Sequence, residues 1–264
     1  MTAPAGRIAS PLGRVLLVAV SLGCLLLMGA CRAAPGWLLL LALISLLALL
    51  TCGVVFQSSG IYARPLISVR TPRPEVAITF DDGPGPHTAA LLATLSARGH
   101  RATFFVIGER ATPEALTAIA RGGHALENHS WRHSYLTPFQ RPAALARELL
   151  QTSALIEAAC GRRPRWFRPP VGLLSPRVGQ AAKLAGLQLV GWTATARDGV
   201  ARRTPAQALS RLADHLRPGA ILVLHDAPVA VEVLPRLLDL LDQRQLCSVT
   251  LAELLDAARA STRR

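Results

Sequence analysis

From Val76 onward, short apolar runs of β type alternate with amphipathic stretches at helical spacing. "VAITF" leads into "HTAALLATLSARG", "ATFFVIG" into "TPEALTAIARGG", and "HALENHS" into "RPAALARELLQTSALIEAACG". The series continues with "RWFRPP" and "SPRVGQAAKLAG", "LQLVGW" and "TPAQALSRLADHLRPG", then "AILVLHD" and "EVLPRLLDLLDQR". "CSVTL" and a last short helix close it. Several helical pieces start at Thr-Pro or Ser-Pro and stop near Gly or a basic residue, the chemistry of helix ends. Near-continuous apolar strands alternating with helices predict a parallel sheet covered by helices. About seven such units over roughly 190 residues predict an α/β fold, a distorted and nearly closed (β/α) barrel, with an open doubly wound sheet as the alternative.

Residues 1–56 have a different character. They hold two apolar runs, about 15–31 and 37–56, free of charged residues. The second is long enough to cross a bilayer, which takes roughly 20 residues. The first is marginal for a span and also fits a signal peptide or, more poorly because Met28 stands where leucine is usual, a lipoprotein signal ending at Cys31. The expectation is two N-terminal membrane helices, a linker over 57–75 containing Pro and Arg, and one domain over 76–264. Arg7, Arg14, Arg32, Arg64, Arg70 and Arg73 flank the runs. The positive-inside tendency puts the large domain on the cytoplasmic side, but large domains translocate despite such charges, so the side stays open.

Composition changes this picture little. Of 264 residues, 51% are hydrophobic, more than one soluble domain needs, and the excess lies in the two runs. The net charge of +13 is almost all arginine, Lys183 being the only lysine, and no aromatic-interleaved basic patch appears. That argues against nucleic acid and for a domain near an anionic membrane or acidic glycan. Cys24, Cys31 and Cys52 lie in the apolar runs, and Cys160 and Cys247 alone make neither a disulfide framework nor a zinc-finger spacing.

Barrels of this kind carry chemistry at the C-terminal ends of their strands. The polar residues expected there are Asp81 and Asp82, His129 and His133, Arg168, Asp198, and His225 with Asp226. "AITFDDGPGPH" sets two like charges side by side where an apolar strand stops, which caps and turns do not call for. "NHSWRH" places His129 and His133 four apart, so on a helical turn both imidazoles point one way and can share a metal. Asp82 or Asp81 completes a two-histidine, one-carboxylate face with open positions. The other aspartate is then free to take a proton from water, and the cation offsets the repulsion between them.

In this order, "TFDDGP", "HSWRH", "RPPVG", "GWTATARDG" and "LVLHD" resemble the five motifs of NodB-like polysaccharide deacetylases, metal-dependent hydrolases that remove acyl groups from amino sugars. The resemblance spans Val76 to about Leu255 and implies a distorted β/α barrel. It implies that Asp81 is the general base and that Asp82, His129 and His133 hold a divalent metal, usually zinc. Imidazole and carboxylate ligands also admit cobalt, manganese, nickel or iron. It implies further that His225 protonates the departing amine, that Arg168 positions Asp81, and that Asp198 orients His225 or Arg168. Val171 stands where the family usually has an aromatic, its backbone N–H still suited to a tetrahedral oxyanion. Thr195 and Gly199 stand where many members carry Asp and Trp, which removes sugar-stacking walls.

The expected function is therefore metal-dependent removal of N-acetyl or other acyl groups from an amino-sugar carbohydrate of the cell envelope. The alternatives are a deacylase or deformylase of a membrane lipid-linked sugar, and an inactive carbohydrate-binding module on a membrane anchor. The expected partners are the carbohydrate or lipid-linked sugar and the membrane, with no nucleic acid and no protein partner. The expected location is the bacterial cytoplasmic (inner) membrane. Other residues read more plainly: His124 as structural, Asn128 as a support for a histidine, His87 at a helix start, and His100 and His215 at the surface. Trp131 and Trp192 fit either core packing or a sugar site, and Asp226 either supports His225 or caps the next helix.

Overall fold

Two apolar helices, α1 (Leu12–Ala30) and α2 (Gly36–Val55), lie between a short strand β1 (Gly6–Ile8) and its antiparallel partner β2 (Leu66–Val69). The computed structural model describes residues 6–8, 12–30, 36–199 and 203–262. Cys31 and Arg32 lie outside them.

The predicted alternation forms the rest. The strands are β3 (Glu75–Gly83), β4 (Ala102–Val106), β5 (Ala125–Asn128), β6 (Trp166–Phe167), β7 (Gln188–Leu189), β8 (Ala194–Thr195), β9 (Ile221–His225) and β10 (Cys247–Ser248). Their order is β7-β6-β5-β4-β3-β9-β8, with β10 pairing beside β3, and every pairing among them is parallel. Only residues 190–193 separate β7 from β8, so one bent stretch pairs with β6 at one end and with β9 at the other. That stretch closes most of the barrel. β2, inside the segment expected as a linker, fills the remaining opening: Gly191 N–H donates to Leu66 O at 2.8 Å, and Val69 N–H to Gly219 O at 2.8 Å.

Helices α3 (Thr88–Ala97), α4 (Pro113–Arg121), α5 (Pro142–Cys160), α6 (Pro176–Leu184), α7 (Pro205–Ala213), α8 (Pro228–Gln243) and α9 (Leu251–Thr262) cover the barrel. The Thr-Pro and Ser-Pro signals act as read: the Thr112 and Ser175 hydroxyls accept from Ala115 N and Val178 N, and Thr204 forms a capping box with Gln207. β3 cannot alternate, because barrel and helices bury both of its faces: Val76, Ala77, Ile78 and Phe80 are each 0% exposed. The Phe80 and Phe104 rings stack with centroids 5.0 Å apart, fixing β3 against β4 at the height where the site begins.

Among the described residues no helix is long and apolar enough to cross a membrane, so the two expected membrane helices are not part of the observed architecture. Leu40, Leu41, Leu43 and Leu47 of α2 are nevertheless more than half exposed. The end of α2 docks on the barrel, where Leu174 N–H donates to Val54 O at 3.0 Å and the Tyr62 hydroxyl to Leu50 O at 3.1 Å.

Candidate metal and acid-base site

Strand register brings the two ends of the sequence together. Asp81 on β3 is the direct neighbour of His225 on β9, so both reach the same rim. The chain leaves the strands there in conformations that L-residues seldom adopt: Asp82, Ser130, His133, Val171 and Arg197 have φ of 68°, 71°, 53°, 55° and 53°. Such strain concentrates where side chains must be aimed.

Asp82, His129 and His133 converge, their ligating atoms all within 4.8 Å of one another. The two histidines are not on a helical turn as expected. His129 follows directly on β5, and His133 is reached through a tight loop that Ser130 and Asn128 hold, Ser130 Oγ accepting from His133 N at 3.1 Å and Asn128 Oδ1 from Ser130 N at 2.9 Å. Asn128 therefore supports the loop, its amide anchored to Leu149 O at 2.7 Å.

The donor set fits a divalent cation. His129 Nδ1 lies 2.7 Å from Arg168 O, which places its proton there and leaves Nε2 as a lone pair facing Asp82 Oδ1 at 3.4 Å. His133 Nε2 is 3.1 Å from the same oxygen, yet Oδ1 is buried with no hydrogen-bond donor. Lone pairs and a carboxylate face one another, an arrangement that a cation stabilises. Burial raises the Asp82 pKa, but its contact with His129 and the charges of His129, His133 and His225 outweigh that and hold it well below the usual carboxylate range. Burial, then His129, lowers His133, which keeps the ring neutral as ligation requires.

Two buried pairs flank the triad. Arg168, 0% exposed, donates from Nη1 to Asp81 Oδ1 at 2.6 Å and to Thr79 Oγ1 at 2.8 Å, and its guanidinium lies 4.0 Å from the centroid of the Phe105 ring. Asp198 settles its two readings in favour of His225: Oδ1 sits 2.7 Å from Nδ1, and Oδ2 accepts from the His225 backbone N at 2.9 Å. Burial depresses His225, but the Asp198 hydrogen bond, with the charges of Asp81, Asp198 and Asp82, raises it to about 9.

Asp81, Asp82, His129, His133 and His225 line a cleft of about 800 Å³, which Val171 and Trp192 also border. Asp226 neither supports His225 nor caps the following helix; it accepts from His87 N at 2.9 Å and from the Thr88 hydroxyl, tying the start of α3 to the Gly-Pro loop. His124 is structural, Nδ1 accepting from Ala102 N at 3.2 Å. His100 corrects an expectation of surface exposure: it is 5% exposed and accepts from Ser248 N at 3.1 Å, because β10 folds over it.

The sequence reading passed over Gln57, which is 8% exposed and donates to Gly172 O at 3.2 Å. Only a glycine fits at position 172, where a Cβ would lie 2.1 Å from Gln57 Nε2 and φ is 73°. Val55, Phe56 and the arginines of residues 197–217 also reach the cleft unforeseen. The density of arginine in that segment was the available signal.

Known proteins resemble this chain in sequence and fold. The profile of the polysaccharide deacetylase family matches residues 68–190. A chitooligosaccharide deacetylase of Bradyrhizobium sp. is 36% identical over 172 residues, 61% of this chain and 78% of that protein. The solved structure of a family 4 acetyl xylan esterase from Clostridium thermocellum with a cobalt ion is 32% identical with a TM-score of 0.64, covering 69% of this chain and 90% of that one. A CE4 family pseudoenzyme from Bacillus anthracis is 25% identical with a TM-score of 0.68, covering 73% and 69%. With five motifs in order, a nearly closed parallel barrel and these likenesses, the chain belongs to the polysaccharide deacetylase family.

Proposed function

We propose that this chain is a metal-dependent hydrolase that removes N-acetyl or related acyl groups from an amino-sugar carbohydrate, working at a membrane. The observation that carries this reading is the Asp82–His129–His133 triad standing between two separately buried pairs, Asp81–Arg168 and Asp198–His225. A module that only binds sugar has no use for all three, which counts against the inactive reading. A divalent cation, zinc or one of its first-row relatives, held by Asp82, His129 and His133 would polarise the acyl carbonyl and acidify water.

The remaining steps belong to the protein. Arg168 occupies one oxygen of Asp81 and offsets its charge in a buried setting, leaving the other oxygen to take a proton from the attacking water. A carbon–oxygen bond forms at the acyl carbon, and Val171, which borders the cleft, would offer its backbone N–H to the oxyanion. His225, with Nδ1 held by Asp198, presents Nε2 to the nitrogen as the carbon–nitrogen bond breaks. The products are a carboxylate and a free amine.

The membrane part rests on the apolar runs and on the exposed leucines of α2, a surface costly to leave in water. Val55 and Phe56, at the end of that helix, border the cleft and favour a second reading in which the substrate is a lipid-linked sugar. Acetate release by the full chain in detergent, on chito-oligosaccharides, peptidoglycan fragments and a polyprenyl-linked N-acetylglucosamine, tests both readings. Release abolished by Asp81→Asn is expected; no release from any of the three would overturn the hydrolase.

A further inference from the structure

The cleft has two unlike walls beyond its catalytic end. Arg197, Arg203, Arg211 and Arg217 line it, all from the segment that runs out of β8 and through α7 toward β9. Asp214 is the single acidic residue of that segment in the lining; Asp198 is buried against His225, and Asp81 is occupied by Arg168. Arg197 and Arg217 are exposed, while Arg203 and Arg211 are half-buried. Among the described residues, only Arg211 of the four holds a side-chain hydrogen bond, Nε to Thr195 O at 3.4 Å, and none of the four forms an ion pair.

On the other side the border is apolar. Val55 and Phe56 line the cleft, as do Tyr135 and Val171, and Leu136 and Phe139 continue the surface at 67% and 70% exposure. On that wall four guanidinium groups face one carboxylate, Asp81 and Asp82 lying at the catalytic end, and the local surplus is well beyond what a monocarboxylate or a neutral sugar uses. Guanidinium forks match phosphate oxygens in pairs, and a phosphate ester carries the double charge that such a surplus offsets. Gly199 lies beside the acid: a Cβ there would already touch the His225 ring at 3.4 Å, and with glycine no side chain stands at that position.

We propose that the cleft takes an N-acylated amino sugar bearing a phosphate or diphosphate ester, its anionic group held by Arg197, Arg203, Arg211 and Arg217 while the acyl group reaches Asp81 and His225. This rests on the deacylase reading above and names its substrate class. The phosphate comes either from a soluble sugar phosphate or from the diphosphate bridge of a lipid-linked sugar, whose chain would follow the apolar side toward α2.

The test is a titration of the full chain in detergent, followed by Trp192 fluorescence, with N-acetylglucosamine, N-acetylglucosamine 1-phosphate and farnesyl-diphosphate-linked N-acetylglucosamine. Wild type should bind the phosphorylated sugars at least about tenfold more tightly than the neutral one, with affinity falling as salt rises. In Arg203→Gln/Arg211→Gln that ratio should drop at least about fivefold, and Arg203→Lys/Arg211→Lys should recover part of it. A further gain for the farnesyl compound assigns the lipid-linked source, and equal affinity for the two phosphorylated sugars the soluble one. Equal affinity for phosphorylated and neutral sugars, or equal loss on both in the variant, overturns the proposal. So does arginine-dependent binding of phosphatidylglycerol vesicles without sugar discrimination, which would assign the arginines to the bilayer. Acetate release from chito-oligosaccharide and from both phosphorylated sugars, measured in the same preparation, reads the parent function separately. Release without phosphate preference overturns the anion site alone, and phosphate preference without release upholds the site while contradicting the deacylase.

Discussion

In the proposed reaction His225 carries the acid half of the chemistry, and its surroundings set the pH range in which it can act. Burial alone would strip its proton, but Asp198 and the charges of Asp81 and Asp82 raise its pKa to about 9, so it stays protonated through neutral pH. A raised histidine stabilises the fold below its ordinary value of 6.5, and that contribution is lost as pH climbs through about 9. The kcat of the wild type should therefore fall on the basic side. A cation at Asp82 opposes the protonated ring, so the loaded enzyme reaches its midpoint at or below pH 9. His225→Gln should lower kcat about 10²–10⁴-fold at pH 7 and leave bound metal unchanged; loss of metal in that variant would show the ring to be a ligand instead. Val171 makes a separate claim on strain. A β-branched residue at φ 55° sits where only glycine is comfortable, so Val171→Gly should raise thermal stability by up to about 1 kcal/mol, or about 2–4 °C. A lower Tm would mean that the Val171 side chain is held by packing that outweighs its backbone.

At the scale of elements, β5 and β6 are joined by a buried carboxyl. Glu127, 6% exposed, accepts with Oε2 from Arg165 N at 2.8 Å and Trp166 N at 2.7 Å, pinning the strand that ends in the metal loop to the one that ends in Arg168. Burial outweighs those two backbone donors and raises its pKa from 4.5 to about 8, so the fold prefers the neutral acid. The sign follows: stability is greatest below pH 4.5, declines as pH rises toward about 8, and is flat beyond. Glu127→Gln keeps the acceptor and removes the titration, so urea unfolding of the variant should lose that decline; an unchanged slope between pH 5 and 8 would assign it to another group. The helices and central strands were legible in the sequence because their periodicity and Thr-Pro or Ser-Pro caps are local. The metal loop was not: the four-residue spacing of His129 and His133 fits a helical turn equally well, and the hydrogen bonds of Ser130 and Asn128 that decide against it depend on β5 and α5 meeting. Asp198 is likewise a tertiary matter, since its choice of His225 over Arg168 rests on where β8 pairs with β9. β1 and β2 lacked the alternating apolar signal, and Gln57 has no mark in the sequence at all.

For the whole molecule, the barrel brings residues from positions 81 to 225 to one rim, and α2 comes down beside that rim rather than away from it. The end of α2 is built into the rim, with Val54 O bonded to the Leu174 N–H and Phe56 at the mouth of the cleft. Asp81, Asp82, His129, His133 and His225, drawn from three of the five motifs, line one cleft. The central claim is that Asp82, His129 and His133 bind the cation on which hydrolysis depends. The most direct measurement is metal content by elemental analysis of the full chain, purified in detergent, set against acetate release for wild type, Asp82→Ala and His129→Ala. The account predicts one divalent ion per wild-type chain, its loss in both variants, and acetate release that falls with it and returns to the wild type when metal is restored after chelation. Acetate release that persists in chains shown to hold no metal would contradict it.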